Sequence, residues 1–175
     1  PQGGYEVQVS TGPVGNYGAV RANFGAFLGD IFVTQPTAQT VLASPANACA
    51  PLVGFPAGSI ALVDSGSCNT TVKAQNVQNA GGAGIIVNAG NNPQTLTGIS
   101  LTVNIPVLGL ATASYNTLRA AQPFTSKMAF LGTPAPLRDG DFGAQGITHE
   151  YGHAISKRLT AGRAPDLGRN TVMSS

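Results

Sequence analysis

Short apolar runs alternate with helical patterns between residues 49 and 121. The runs are rich in Ile, Val and Leu, are bounded by turn residues, and occupy 60–63, 85–87 and 105–110. Runs of this length and composition predict buried strands. Strands that alternate with helices along a chain predict a small mixed sheet with crossover helices. The sequence therefore predicts an α+β fold in this region.

Two segments between these runs have the pattern of helices. Residues 70–80 end at a Gly-Gly pair, and a second helix runs from Thr112, which is expected to cap it, to about residue 121. The amide-rich run 75–79 is interpreted as the solvated face of the first helix. The loop 88–104 is a candidate for a binding groove.

The charge content limits the classes of partner. Charged residues make up 9% of the 175 residues, the net charge is +2, and the lysines and arginines are scattered. A nucleic-acid-binding surface needs a basic patch, so the sequence predicts no nucleic-acid partner. No apolar run reaches the roughly 18 residues of a membrane span, so none is expected. Low charge with abundant Gly, Ser, Thr and Asn fits the strands and loops of a secreted domain.

A long, ordered set of residues resembles the protease-associated domain, a non-catalytic module found inserted in many secreted proteases. The matching residues are Cys49, Pro51-Leu52, 60–69, Lys73, Gln75-Asn76, 78–86 and 105–107. The resemblance implies a β-sandwich or open barrel with short flanking helices, which would occupy residues 1–135 of an extracellular protein. The flanks 5–40 and 124–133 would supply the remaining strands, and Tyr5–Val9 and 31–33 have suitable alternation or apolar runs.

The chain has two cysteines, Cys49 and Cys68, which bracket the strand candidate 60–63. Two buried free thiols are one interpretation. Both cysteines match the pair of the protease-associated family, and the resemblance implies that they form a disulfide in an oxidising compartment. Closing this loop would stabilise the fold by about 3 kcal/mol through the unfolded chain.

The tripeptide Asn69-Thr70-Thr71 has the spacing of an N-glycosylation acceptor. Its threonine could equally begin the first predicted helix. Asn69 is therefore a candidate glycosylation site, which a bacterial source would leave unmodified.

Residues 149–153 spell His-Glu-Tyr-Gly-His, an HExxH motif. Apolar side chains recur around it at spacings of three and four, which predicts a helix of roughly 144–160. Two histidines four apart lie about one turn apart on the same helix face, so His149 and His153 can bind one zinc ion. Glu150 can then act on the metal-bound water as a general base. The alternative is a surface helix that happens to carry these side chains.

Zinc catalysis needs a third protein ligand as well as an open position for water. Asp166 is the acidic residue that lies downstream of His153, in a loop rich in Gly, Pro and Arg that could fold back over the metal. Its other interpretation is an ordinary loop or turn residue. Both interpretations stay open.

The segment that contains the motif resembles the active-site segment of the fungalysin-like secreted zinc metallopeptidases. The match comprises 137–142, 147–160 and Gly162, with departures at Ala154, Lys157 and Ala161 that do not touch the metal chemistry. The resemblance implies Zn²⁺ as cofactor, His149 and His153 as ligands and Glu150 as catalytic base. The family's third ligand is a Glu further along the chain, which would lie past Ser175. Residues 136–175 would then be a partial zincin segment.

Two functions from different classes follow. In the first, the parent is a secreted zinc metalloendopeptidase that hydrolyses polypeptide with zinc-activated water and carries an inserted protease-associated domain. The 175 residues alone would lack the remainder of the catalytic domain, their partner, and are expected to bind zinc weakly and show little or no turnover. In the second, the chain acts as a non-catalytic module that binds substrate or regulates and folds without metal.

Overall fold

The computed structural model describes residues 4–132, which form seven strands and two helices. The strands are β1 Tyr5–Val9, β2 Gly15–Arg21, β3 Thr37–Leu42, β4 Ile60–Val63, β5 Gly84–Asn88, β6 Val107–Leu110 and β7 Phe124–Phe130, and the helices are α1 Thr70–Asn79 and α2 Thr112–Ala121. The three apolar runs, both helices and the strand at Tyr5–Val9 are confirmed, with ends that differ by one or two residues.

The strands close into a mixed barrel in the order β1-β2-β6-β5-β4-β3-β7. From β3 to β6 the neighbours are parallel, and Ile86 lies opposite Leu62 on one side and Leu108 on the other. The remaining pairs are antiparallel. The barrel is closed, rather than open as the resemblance allowed, because β7 pairs with both β1 and β3.

The crossovers between parallel strands are of two kinds. Helix α1 connects β4 to β5, as the alternation of strand and helix predicts. The connections from β3 to β4 and from β5 to β6 contain no helix and are the long loops 43–59 and 89–106. The four parallel strands β3 to β6 are therefore connected by one helix and two long loops.

The central strands are buried on both faces, which explains their continuous apolar sequences. Alternate side chains fill the barrel, where Leu62 and Ile86 share a cluster with Met128 from the opposite wall. The side chains between them, such as Ile85, pack outward against Val77 of α1. The two clusters together form the core of the described region.

The prediction of a strand at 31–33 is wrong. This segment is a turn, in which the amide of Val33 donates to the carbonyl oxygen of Asp30 and the amide of Phe32 donates to the Asp30 carboxylate. Phe32 is 75% exposed. The apolar run resembled a strand, but the Asp30 side chain satisfies the backbone locally, and the neighbouring strand is Thr37–Leu42 instead.

The prediction that Thr112 caps the second helix is also wrong. Thr112 is the first helical residue, Ala111 precedes it, and the Thr112 side chain makes no capping hydrogen bond. Its hydroxyl group instead donates to Oδ1 of Asn88 at 3.0 Å. Thr112 therefore ties the start of α2 to the end of β5.

Candidate functional site

The predicted metal site lies outside the described residues. His149, Glu150, His153 and Asp166, together with the predicted helix 144–160, fall beyond residue 132. Within residues 4–132, no three His, Cys, Asp or Glu side chains come together in a way that could hold a metal ion. The zinc site therefore stays a prediction. Any function of residues 4–132 has to come from the side chains of those residues.

Cys49 and Cys68 form a disulfide, with a Cα–Cα distance of 5.8 Å. The alternative of two free thiols is wrong. The bond joins the loop after β3 to the loop after β4, and the amide of Cys49 donates to Oδ1 of Asn47 at 3.1 Å. These two loops thus form one unit at the end of the parallel strands.

Lys73 on α1 is buried beneath these two loops, with 1% of its side chain surface exposed. Its Nζ donates to the carbonyl oxygen of Asp64 at 2.6 Å and to that of Asn47 at 2.9 Å. Burial lowers the pKa of Lys73, and the nearby Asp64 charge opposes this. The ammonium group therefore fastens the same two loops as the disulfide.

The Asp64 carboxylate connects this unit to α2. The hydroxyl group of Tyr115 donates to Oδ1 at 2.9 Å, and Arg119 contacts both carboxylate oxygens at 3.1 and 3.2 Å. Burial raises the pKa of Tyr115 strongly, and the hydrogen bond to Asp64 acts in the same direction. Tyr115 and Arg119 were not singled out by the sequence, because their partner lies more than 50 residues away.

The chemistry of this cluster is structural. In residues 4–132 no buried side-chain nitrogen or oxygen atom lacks a hydrogen-bond partner. Lys73 and Tyr115 both donate to fixed acceptors within the fold. Burial raises the pKa of Tyr115, away from the neutral range in which a general base works, and the Lys73 nitrogen is enclosed beneath two loops where a substrate cannot reach it. The cluster positions loops, and it has the features of a scaffold rather than of an active site.

The amide side chains of α1 lie at the surface, half-buried or exposed, and they also make hydrogen bonds to the neighbouring loops, which the prediction of a solvated face did not include. Gln78 Nε2 donates to the carbonyl oxygen of Thr102 at 2.8 Å, and Gln78 Oε1 accepts from the amide of Asn104 at 2.6 Å. Gln75 Oε1 accepts from the Thr102 hydroxyl group, and Asn76 Nδ2 donates to the carbonyl oxygen of Ala48. The helix therefore holds the loop 98–104 through its amides.

A groove of about 410 Å³ lies between the barrel wall and the loop 89–106. It is lined by Gly4, Tyr5, Gly18, Ala19, Val20, Asn92, Pro93 and Gln94. Leu96 pairs with Ala22 in parallel, and its amide donates to the carbonyl oxygen of Arg21, so the loop is anchored beside β2. A groove is thus present in the loop region where the sequence suggested one, with a volume in the range of peptide and small-molecule sites.

An aromatic cluster lies where the described chain begins and ends. The rings of Tyr5 and Phe130 are 4.9 Å apart, and Phe27 lies 5.9 Å from Phe130. The guanidinium group of Arg21 lies 5.1 Å above the Phe27 ring, a cation–π distance. The cavity beside Arg21 has a volume of about 80 Å³, which is smaller than ligand pockets usually are. The larger groove is the better candidate binding site.

Asn69, the glycosylation candidate, is exposed at the start of α1. It occupies the N-cap position, but its side chain makes no capping hydrogen bond. Its carbonyl oxygen accepts from Val72 and Lys73. The side-chain amide of Asn69 is therefore not committed to the start of the helix.

Comparison with known proteins identifies the region between β3 and α2. Residues 33–118 match the family described as the PA domain. Extracellular metalloproteinase 4 of Arthroderma otae is 41% identical to this chain over 56 residues, which are 32% of this chain and 9% of that protein. The match thus spans a small fraction of the relative's length.

The fold is shared with parts of three larger solved proteins. An aminopeptidase from Aneurinibacillus sp. strain AM-1 (18% identity, TM-score 0.53) aligns over 73% of this chain and 30% of its own. The subtilisin-like protease Apa1 from Pseudoalteromonas sp. AS-11 (16%, 0.53) aligns over 74% and 33%. BSAP, a zinc aminopeptidase from Bacillus subtilis (17%, 0.50), aligns over 74% and 31%. Identities this low show a common fold alone.

Neither helix of residues 4–132 combines the length and apolar character needed to cross a membrane. The family match covers the parallel strands, the disulfide, α1 and most of α2, in the region where the ordered set of matching residues predicted this module. Residues 33–118 of this chain are a PA domain.

Proposed function

We propose that this chain is part of a secreted zinc metallopeptidase and that its PA domain is the non-catalytic part. The observation that carries the proposal is the HExxH motif at 149–153, which follows a PA domain in the same chain. The 56-residue similarity to an extracellular metalloproteinase supports the same class of protein and an extracellular location. The substrate would be polypeptide.

The donor set of the motif suits zinc. Imidazole nitrogens are common Zn²⁺ ligands, and two histidines four apart on a helix can reach one ion. When bound, zinc would polarise a water molecule and lower its pKa to about 7. Glu150 would accept the proton from this water at a carboxylate oxygen and then deliver it to the leaving amine. His149 and His153 would fix the position of attack relative to Glu150.

The third protein ligand has two candidates. Asp166 offers a carboxylate thirteen residues after His153. The resemblance to fungalysin-like peptidases favours a Glu beyond Ser175. We favour the Glu, because a chain with this ligand set would match the His₂Glu arrangement of zinc peptidases.

The PA domain would bind or position substrate. Residues 4–132 hold no metal-ligating cluster, and their buried polar groups are committed to structural hydrogen bonds. A fold of this kind also occurs in proteins named as a zinc aminopeptidase and as a subtilisin-like protease, two enzymes with different chemistry. The second candidate function, a substrate-binding or regulatory module without catalysis of its own, is favoured by the groove of about 410 Å³.

Zinc content and peptide hydrolysis test the catalytic proposal. The protein secreted by its natural source should contain equimolar zinc by plasma mass spectrometry and cleave a fluorogenic peptide. Glu150→Gln should retain zinc and lose about 100-fold or more of the activity, whereas His153→Ala should lose both. Glu6→Gln, which makes the same chemical change on β1, is the matched control and should leave activity and zinc unchanged.

The third ligand is tested separately. The 175-residue chain should bind zinc weakly and show little turnover. Strong cleavage by that chain, abolished by Glu150→Ala and by Asp166→Asn, would instead assign the third ligand to Asp166. The proposed catalytic function would be overturned if the natural protein contained no zinc and the Glu150→Gln variant kept full activity. The function as a binding or regulatory module would then remain.

A further inference from the structure

The loop 98–102 displays two large aliphatic side chains. Ile99 is 93% exposed and Leu101 is 96% exposed. We refer to Ile99 and Leu101 as the aliphatic patch. Exposed apolar side chains that lie together often mark a surface that is covered in the working protein.

The backbone beneath the aliphatic patch is fixed by polar contacts. The amide of Gly98 donates to Oδ1 of Asn23 at 2.9 Å, and Thr102 is bonded to both Gln75 and Gln78 of α1. The amide of Val103 donates to the Ser100 hydroxyl group. Because the loop is anchored at both ends, Ile99 and Leu101 are held in the solvent and do not turn back into the core.

The patch lies beside the start of α1. A Cβ atom on Gly98 would stand 2.5 Å from Cγ2 of Thr71, so the loop passes directly against Thr71. Thr71 is the hydroxyl residue of the Asn69-Thr70-Thr71 acceptor, and Asn69 is exposed with no side-chain capping bond. The loop then continues along the helix from Thr71 to Gln78. The glycan acceptor and the aliphatic patch are therefore neighbours.

The surface around the aliphatic patch is nearly free of charge, which limits the kind of group that can cover it. Residues 88–104 contain no Asp, Glu, Lys or Arg, and the one charged residue of α1, Lys73, is buried. The patch has no cations for an anionic membrane and no ion-pair partners for a charged protein surface. A neutral, bulky and strongly hydrated group suits this surface better.

We propose that Asn69 carries an N-linked glycan when the protein passes through a eukaryotic secretory pathway, and that the first sugars of this glycan cover the aliphatic patch. The acetamido groups and the apolar faces of the sugar rings pack over Ile99 and Leu101, and the hydroxyl groups face water. The glycan thereby prevents self-association through the exposed apolar side chains of this loop.

Occupancy is tested on the full chain secreted from yeast. Intact mass should fall by the mass of a glycan after peptide N-glycosidase treatment, with Asn69 converted to Asp. Thr71→Ser, which retains the acceptor, should still be glycosylated, and Thr71→Ala should not. An unmodified Asn69 in the natural sequence would overturn the proposal.

The covering role is tested with a hydrophobic dye. Enzymatic removal of the glycan from the folded protein, or Asn69→Gln, should raise the binding of anilinonaphthalene sulfonate by about twofold or more. The rise should vanish in the background Ile99→Ser with Leu101→Ser, which removes the patch itself. Equal dye binding with and without the glycan would contradict the proposed contact.

A displaced glycan is the matched control. Ala57→Asn creates a new acceptor with Gly58 and Ser59 in the loop before β4, at an exposed position outside the lining of the groove. Combined with Asn69→Gln, this variant carries a glycan of the same size on a different loop. It should retain the high dye binding of the variant that lacks the Asn69 glycan. Restoration of low dye binding by the displaced glycan would show that general bulk, and not local cover, is responsible, and would overturn this part of the proposal.

Discussion

The ammonium nitrogen of Lys73 lies 2.6 Å from the carbonyl oxygen of Asp64, at the end of the β4 strand that the disulfide brackets. The same nitrogen also contacts the carbonyl oxygen of Asn47. One cation and one covalent bond therefore hold the same two loops together. Because both constrain the same movement, their contributions to stability depend on each other.

We expect Lys73→Met to lower the free energy of unfolding by about 1–3 kcal/mol, since two buried carbonyl groups lose their donor. Removing the disulfide with Cys49→Ala and Cys68→Ala should lower it by about 3 kcal/mol, from the loop that the bond closes. The loss of unfolding free energy in the variant with all three changes should differ from the sum of the losses in the Lys73 variant and the cysteine variant. Urea denaturation in a double-mutant cycle measures this difference. Lys127→Met on β7 is the control, since Lys127 is half-buried and makes no hydrogen bond to residues 4–132 through its side chain in this structure. Strict additivity would contradict the shared role.

The alkaline stability of the protein should depend on Tyr115. Burial and the hydrogen bond to Asp64 raise its pKa above the ordinary value of 10.0. The stability that this neutral phenol contributes is present below pH 10.0 and is lost as the pH rises further, because the unfolded phenol ionises first. Lys73 has the opposite sign: its lowered pKa makes stability increase with pH up to its ordinary value of 10.5.

We therefore expect the free energy of unfolding to fall more steeply with pH in the wild type than in Tyr115→Phe over about pH 10 to 11. Urea denaturation at closely spaced pH values measures the slope. Some decline should persist in the variant, because burial also raises the pKa of Tyr5. Identical slopes in the two proteins would contradict the assignment to Tyr115.

Gln78 should matter more than an exposed glutamine on a helix usually does. Its side chain accepts from the Asn104 amide and donates to the Thr102 carbonyl oxygen. Gln78→Ala should cost about 1–2 kcal/mol, from two lost hydrogen bonds to the loop. Amide hydrogen exchange should accelerate in 98–104 and remain unchanged in β4. Gln94→Ala, which removes the same group beside the groove, should leave exchange in 98–104 unchanged. An equal effect of the two variants would show that Gln78 does not hold this loop.

The parts of the fold that sequence could predict are those where local pattern and tertiary burial agree. Residues of β4 are buried on both faces, so Ile60–Val63 reads as a continuous apolar run. Strand β2, Gly15–Arg21, has few apolar residues and is half exposed, and it becomes a strand through pairing with β1 and β6. At 31–33 the conflict is reversed, because an apolar run is held in a turn by the side chain of Asp30.

The candidate site was less predictable than the core. The amides of α1 were interpreted as solvent-facing because their partners, such as Thr102, lie 24 residues or more away in sequence. Lys73 stood out only as a match to a family pattern, since burial of an ammonium group depends on two distant carbonyl groups. The sequence marks such residues by type, and tertiary structure decides what they bind.

The groove beside β2 offers a test of the substrate-binding role that separates it from catalysis. Gly18 lines the groove, and a Cβ atom on this residue would have no neighbour within 4 Å, so Gly18→Leu fills the groove without strain in the barrel. If the groove holds part of a polypeptide substrate, this variant of the natural secreted protein should raise KM for a protein substrate by about tenfold. It should leave kcat unchanged, as well as the hydrolysis of short peptides that cannot reach the groove. The control is Asn16→Leu, at an exposed position on the same strand. A second glycine such as Gly54 is less suitable, because its φ of 64° would strain any added side chain. Unchanged KM for the protein substrate in Gly18→Leu, with the fold intact by circular dichroism, would remove the groove from the substrate path.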